Sequence, residues 1–250
     1  MSSLQGQAIF ITGSSRGIGE GIARTCAREG AHVAITYRKN QEAAEALAAE
    51  LEATYAISAH VAQLDVRDPH AIKREVRAFA ERFGAVDGLV NNAGLVSPGL
   101  LVTQPIEKIR ELLDTNLLGP IQCAKEVLPL MLARRKGVII NIGSVASGRP
   151  FRGQSIYAAT KGGLEAFTRA LAVEYSRKGI RAHCIVPGPI GTEMLDESRA
   201  LAEKEILSHI PLKTFGTAQD VAEMAVFLLS ERSKFVTGGV HVVDGGYLLG

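Results

Sequence analysis

Cysteine is scarce in this sequence, and the three present do not form a set. Cys26, Cys123 and Cys184 are odd in number, far apart and in apolar surroundings. That excludes a disulfide framework and reads as reduced core thiols of a cytosolic protein. The six histidines show neither His-x-x-x-His nor Cys/His ligand spacing, so no structural or catalytic metal is expected. No apolar run approaches the ~20 residues that span a bilayer. The opening Met1-Ser-Ser-Leu-Gln-Gly6 lacks the basic and apolar regions of a secretory signal, so a cytoplasmic location is expected. Excess charge is missing too. A net charge of +2 is too small to argue for nucleic acid or an anionic membrane as partner. Repeats, low-complexity stretches and linkers are also lacking.

What is present is a pattern of alternation. The chain has 250 residues and 46% hydrophobic composition, enough for one α/β domain with a large core. Apolar, β-branched runs occur at Gln7–Thr12, His32–Tyr37, Ile57–Leu64, Val86–Val90, Val138–Gly143, Ile180–Val186 and Val240–Val243. Stretches of helical periodicity separate them. Such runs read as buried parallel strands, and their alternation with helices predicts one doubly wound, Rossmann-type sheet of seven strands with helices on both faces. Residues 1–250 form a single domain on this reading, the cofactor part mainly 7–94 and the catalytic and substrate part mainly 106–215.

The first strand runs into Gly13-Ser-Ser-Arg-Gly-Ile-Gly19 and then a helical stretch to Glu29. Strand, glycine-rich turn and helix together make a pyrophosphate site, because absent Cβ atoms allow close approach to free N–H groups at a helix N-terminus. The spacing Gly-x-x-x-Gly-x-Gly differs from the usual Gly-x-Gly-x-x-Gly. At the end of the second strand an acid would bond the ribose 2′-hydroxyl of NAD. No acid occurs between Ala31 and Gln41. The chain reads Tyr37-Arg38-Lys39 there, with Arg16 in the glycine-rich turn, and cations would pair with a 2′-phosphate. NADP(H) is therefore the expected cofactor, with NAD(H) as the alternative. Asn91-Asn92-Ala93-Gly94 after the fourth strand again permits close backbone approach.

Chemistry is expected between Ser144 and Lys161. Ser144 follows a buried strand, where ligands of open α/β sheets sit. Tyr157 and Lys161 are four apart on a helix and share one face. A free tyrosine, with a pKa of about 10, is a poor base at neutrality. A nearby ammonium lowers that value, so Tyr157 could give or take a proton while Ser144 holds an oxygen.

Elsewhere the patterns are mostly structural. Asp68-Pro69 reads as an N-cap and first helical residue. Ile72, Val76, Phe79 and Phe83 form a core stripe. Ile106 to Arg135 reads as one long helical region containing Asn116, which needs a partner in an apolar face. Arg134-Arg135-Lys136 suits a solvated helix end better than a docking patch. Ala158, Ala159, Gly162, Gly163 and Ala166 make one helix side unusually small, which points to close packing. Gly191 to Ile210 reads as a lid or binding loop. Thr217-Ala-Gln-Asp220 resembles a capping box.

Taken together, these residues resemble the short-chain dehydrogenase/reductase family over essentially the whole chain. Thr12-Gly-Ser-Ser-Arg-Gly-Ile-Gly19 looks like its cofactor turn, Asp65-Val66 like its adenine contact, and Asn91-Asn-Ala-Gly94 like its sheet motif. Asn116, Ser144, Tyr157 and Lys161 look like its catalytic tetrad, and Pro187-Gly188 with Thr192 like its nicotinamide-side loop. The resemblance implies cofactor contacts from Gly13, Ser15, Arg16, Gly17, Ile18 and Gly19 in the turn, and from Tyr37, Arg38 and Lys39 after the second strand. It adds Asp65, Val66, Asn92, Ala93 and Gly94, then Tyr157, Lys161, Pro187, Gly188, Ile190 and Thr192. Hydride would move between nicotinamide and a carbonyl carbon, and Asn116 would order a water that relays protons to Lys161. Within the family the chain looks most like the 3-oxoacyl-carrier-protein reductase group, including Gly238-Gly-Val-His-Val-Val-Asp-Gly-Gly246. One departure is Val173, where that group often has a basic residue. It argues against carrier-protein docking, although Arg134 and Arg135 remain.

The expected activity is therefore NADP(H)-dependent interconversion of a ketone or aldehyde with an alcohol, a 3-oxoacyl thioester among the candidates. The substrate pocket is expected from Val96, Ser144, Arg152, Gln154, Tyr157, Met194 and Leu195. Its apolar members suit a substrate with an apolar body. Arg149 and Arg152 could instead select an anionic group, although exposed loop charge is the better reading. The rivals are an NAD(P)-dependent sugar or secondary-alcohol dehydrogenase and a nucleotide-binding regulator without turnover. The small-residue helix side and the resemblance both imply a homotetramer.

Overall fold

The computed structural model describes residues 3–191 and 204–250. Seven parallel strands form one sheet in the order β3-β2-β1-β4-β5-β6-β7. They are β1 Ala8–Ile11, β2 His32–Tyr37, β3 Ala59–Gln63, β4 Gly88–Asn91, β5 Gly137–Ile142, β6 Ile180–Pro187 and β7 Val240–Val243. The helices are α1 Gly17–Arg28, α2 Gln41–Thr54, α3 Pro69–Phe83, α4 Ile106–Leu113, α5 Gly119–Arg134, α6 Ser155–Tyr175 and α7 Ala218–Leu229. Residues 204–208 are also helical. The doubly wound expectation is met.

The strand pleat divides the core into two layers. Ile9 and Ile11 of β1 point into a layer with Ile22, Cys26, Leu47, Leu51 and Val221. Ala8 and Phe10 point into the opposite one, with Ile72, Val76, Phe79, Cys123, Val127 and Met131. Successive strand side chains face opposite ways, so a strand covered on both faces must be apolar throughout. The three cysteines are free and buried, as the composition implied. Burial pushes each thiol up to about 12.

Local signals behave as their chemistry dictates. Asp68 accepts from the N–H groups of His70 and Ala71, with Pro69 opening α3. Thr217 and Asp220 form a reciprocal capping box on α7. The region expected as one helix from Ile106 to Arg135 differs. It is α4, a π-helical turn at Asp114–Leu118, and α5. Asn116 sits in that turn and is buried. No helix among the described residues is long and apolar enough to cross a membrane.

Strand order reverses between β1 and β4, so their carboxyl ends flank a crevice. The glycine-rich turn leaves β1 there, Asn92-Ala93-Gly94 leaves β4, and Ser144 lies just beyond neighbouring β5. One fold feature thus gathers motifs that are far apart in the sequence.

Candidate active site

Ser144 continues the extended backbone of β5 and caps the 3-10 turn Val145–Ser147, its Oγ accepting from the Ala146 N–H at 3.2 Å. Tyr157 and Lys161 occupy the first two turns of α6. The Lys161 ammonium lies 5.7 Å from the centre of the Tyr157 ring and donates to the Ile142 carbonyl at 2.8 Å. Lys161 is only 5% exposed. Burial pushes its ammonium down to about 8. Tyr157 departs from the expected direction. Burial raises its phenol above the ordinary value, and a hydrogen bond from Ser144 opposes that rise. Desolvation of the phenolate outweighs the Ser144 bond, and the neighbouring ammonium is engaged by the Ile142 carbonyl.

Asn116 is fully buried. Its Nδ2 donates to the Leu95 carbonyl at 2.8 Å, and its Oδ1 accepts from the Leu95 N–H at 2.9 Å. It therefore clamps the backbone that follows Gly94. A Cβ added at Gly94 would lie 3.4 Å from Asn116 Oδ1 and 3.6 Å from Lys161 Nζ. Asn116, Lys161 and the Asn92–Gly94 loop thus share one spot. Thr160 links the two helices, donating to the Tyr157 carbonyl at 2.7 Å and lying 3.5 Å from Asn116 Nδ2.

The glycine-rich turn has the form a pyrophosphate requires. Gly13 and Gly17 have φ of +64° and +59°. A Cβ on Gly19 would collide with the Gly13 carbonyl oxygen and with Asn92 Nδ2. Arg16 N-caps α1, and its donor-only side chain supplies no acceptor to the first N–H groups of the helix, the position an anion takes. Ser15 and Ile18 are half-buried beside it. Asn92 holds the turn closed by donating to the carbonyls of Thr12 at 3.0 Å and Gly13 at 2.7 Å. Thr12 accepts at Oγ1 from the N–H groups of Asn92 and Ala93. These residues fit a dinucleotide's phosphates.

At the end of β2, Tyr37 is buried, while Arg38 and Lys39 are exposed. Asp65 follows β3, and Arg67 grips its carboxylate with Nη2 at 2.5 Å and Nε at 2.9 Å. The Arg67 bond, with Arg38 contributing at longer range, holds the Asp65 carboxyl below the ordinary carboxylate value. Val66 packs against Gly119, where a Cβ would approach to 2.9 Å. On the opposite side Pro187 ends β6, and the Gly188 N–H donates to the Val243 carbonyl at 2.9 Å. Ile190 is buried and bridges to Gly216. Thr192, Met194 and Leu195 lie outside the described residues.

The remaining substrate candidates separate. Val96 is half-buried, and Arg152 is exposed. Gln154 Oε1 accepts from the Phe151 N–H at 2.9 Å. Arg149 is committed elsewhere, donating to the Tyr247 and Gly250 carbonyls and stacking 5.0 Å from the Tyr247 ring. Sequence reading missed the buried braces under the site. Ser14 Oγ accepts from the Thr36 N–H, and Thr36 Oγ1 accepts from the Gly13 N–H. Asn91, Asn141 and Thr168 form a chain of 2.9 Å bonds beneath the crevice. Their one signal was an Asn interrupting each of two apolar strands.

Known proteins resemble this chain over nearly its whole length. A family model described as enoyl-(acyl carrier protein) reductase matches residues 13–248. The chain is 42% identical over 243 residues to a 3-oxoacyl-(acyl-carrier-protein) reductase of Bos taurus, covering 97% of each. A solved putative gluconate dehydrogenase from Agrobacterium tumefaciens superposes with a TM-score of 0.94 at 31% identity, over 98% of this chain and 97% of that one. A short chain dehydrogenase from Burkholderia cenocepacia J2315 in complex with NADP gives 0.90 at 35% identity, over 98% and 99%.

Proposed function

The chain belongs to the short-chain dehydrogenase/reductase family, and on that premise we propose that it reduces a ketone, in particular a 3-oxoacyl thioester, with NADPH. It is an oxidoreductase of that family. The observation that carries the substrate end is the convergence of half-buried Ser144 and Tyr157 and buried Lys161 with the loop that Asn116 clamps. The NADP(H) choice rests on Arg38, Lys39 and Arg16 with no acid from Ala31 to Gln41. The relative solved with NADP supports it.

When bound, such a cofactor supplies the hydride. The glycine-rich turn and the first N–H groups of α1 would hold its diphosphate, and Arg38 and Lys39 would pair with its 2′-phosphate. Gly94 and Gly188 let the backbone come close on the nicotinamide side. Ser144 donates a hydrogen bond to the substrate carbonyl oxygen. Tyr157 delivers the proton to that oxygen. Its raised pKa keeps the phenol protonated at neutral pH, which suits the reductive direction. Lys161 holds the ribose and stabilises the phenolate left behind. The open, small-residue side of α6, where a Cβ at Gly162 would meet nothing within 4 Å, belongs to this reading as the face of a homotetramer.

A gluconate dehydrogenase among the structural neighbours keeps a polyol substrate as the second reading. The deciding experiment is a kinetic screen of the purified protein against 3-oxoacyl thioesters, simple ketones and sugar acids with NADPH and NADH, beside Tyr157→Phe. The expected result is thioester reduction with NADPH, and at least about a hundredfold lower turnover in Tyr157→Phe with cofactor binding retained. Turnover of Tyr157→Phe within about tenfold of wild type would remove Tyr157 from the acid/base role.

A further inference from the structure

Two polar side chains behind Ser144 have no part in the chemistry above. Ser147 closes the 3-10 turn that Ser144 caps. Its hydroxyl lies 2.5 Å from Glu165 Oε1 and 2.8 Å from the Ser144 carbonyl oxygen. Glu165 stands on α6, one helical step of four beyond Lys161 and two beyond Tyr157, so all three share a face. Its side chain is 19% exposed. The charged and titratable groups that face it are Arg169 of α6, 3.9 Å away, and Cys184 of β6.

The hydroxyl of Ser147 has one proton for two acceptors. The Ser144 carbonyl also receives the Ser147 N–H at 3.1 Å, so it is satisfied without the hydroxyl. The carboxylate is the stronger acceptor, and an O–H bond to a carboxylate is the short, strong kind. The proton therefore goes to Glu165. The turn carrying Ser144 is fastened to the helix carrying Tyr157 by a side-chain bond outside the reacting groups.

We propose that Glu165, acting through Ser147, is a positioning residue that fixes Ser144 against Tyr157. This inference rests on the carbonyl-reductase reading for its kinetic consequence, but not for its geometry. A backbone turn that drifts by an ångström would misplace the Ser144 hydroxyl from both the phenol and the substrate oxygen.

The test uses Ser147→Ala, Glu165→Leu and Glu165→Gln in the full chain. Glu165→Gln keeps an amide oxygen that accepts from Ser147. The first readout needs no substrate: the titration of Tyr157 by phenolate absorbance, taken as the difference from Tyr157→Phe. Loss of the Ser144 bond moves that titration upward by about half a pH unit or more in Ser147→Ala and Glu165→Leu, and less in Glu165→Gln. The second readout is turnover. With the substrate found by the screen, kcat falls about tenfold with KM little changed, and Glu165→Gln restores most of it. In a Ser144→Ala background the same substitutions cost nothing further, because the group they position is gone. An unmoved Tyr157 titration in the folded variants would overturn the proposal. So would an equal fall in kcat with and without Ser144. If the wild-type protein reduces no carbonyl compound, the functional reading fails while the titration still decides the clamp. Should Glu165→Leu not fold, Ser147→Ala removes one oxygen and carries the same test.

Discussion

The two ends of the crevice solve different problems with opposite means. At the nucleotide end the charged side chains, Arg38 and Lys39, are exposed, and the close approaches are made by backbone at Gly13, Gly17 and Gly19. At the end proposed to handle the proton the polar groups are buried or half-buried. Asn116 is 0% and Lys161 5% exposed, and burial shifts both the phenol and the ammonium away from their charged forms. An exposed cation costs little to keep and is screened by salt, so it gives modest selectivity. A buried cation opposes folding, and its retention implies a use that needs low dielectric. Substitutions at the two ends should therefore differ in kind as well as size.

Lys161→Met gives the largest expected effect and tests the buried end. Turnover should fall at least about a hundredfold, since the phenolate loses its counter-charge. Stability should move the other way. The ammonium titrates near 8 in the folded chain against an ordinary 10.5. Between those values the unfolded chain binds a proton that the folded chain does not, so wild-type stability rises with pH across that window. The burial cost is fully present below about pH 8. A shift of that size corresponds to about 3 kcal/mol, and the lost bond to the Ile142 carbonyl offsets about 1 of it. Lys161→Met should then be about 2 kcal/mol more stable at pH 7 in denaturant melts, with the advantage gone by about pH 10. Equal stability at pH 7, or a gap that ignores pH, would erase the contrast between the two ends.

The exposed end is tested by Arg38→Ala. One charge-assisted bond to a 2′-phosphate contributes roughly 1.5–3 kcal/mol, and exposure argues for the low end. Wild type should prefer NADPH over NADH by at least about tenfold in kcat/KM, and Arg38→Ala should lose most of that margin with kcat unchanged. Raising salt should shrink the same margin in the wild type. Equal use of NADH by wild type would mean that Tyr37 and backbone groups bind the ribose unaided.

The same contrast explains what could be read from the sequence. Spacing along one element was legible. Tyr157 and Lys161 share a helix face, and Gly13, Gly17 and Gly19 mark a turn between strand and helix, because local periodicity dictates both. Interactions between distant elements were not. In the run Ile106–Arg135 the pair Gly119-Pro120 marks where a new helix opens, but nothing local announces that Asn116 bonds Leu95, 21 residues earlier. The same holds for Ser147 on Glu165, which depends on how the turn after β5 meets α6. The direction of the Tyr157 shift failed for a related reason. Sequence shows a neighbouring cation but not the desolvation that raises the phenol.

Arg134 carries the smallest expected effect. It stands in a basic stretch that reads from sequence as either a solvated helix end or a patch for an acidic carrier. In the fold its Nη1 bonds Asp87 Oδ1 at 2.8 Å, and Asp87 Oδ2 accepts from the Ala8 N–H at 2.9 Å. The pair ties the end of α5 to the starts of β1 and β4. Neighbouring Arg135 is also engaged, at the left-handed end of α5 with Nη2 donating to the Arg177 carbonyl. Val173, where a third cation would favour docking, is 84% exposed and apolar. Asp87 is 8% exposed while the Arg134 side chain is 43% exposed, so solvent screens half of the pair. Arg134→Ala should therefore cost about 1 kcal/mol of stability, read from a denaturant midpoint. It should leave the ratio of KM for a carrier-bound 3-oxoacyl thioester to KM for its coenzyme A counterpart within about twofold of wild type. Were Arg134 to hold the carrier, its removal would raise that ratio about tenfold, the equivalent of 1.4 kcal/mol. Such a rise, with stability unchanged, would return Arg134 to the exposed, exchangeable class of cation that Arg38 represents.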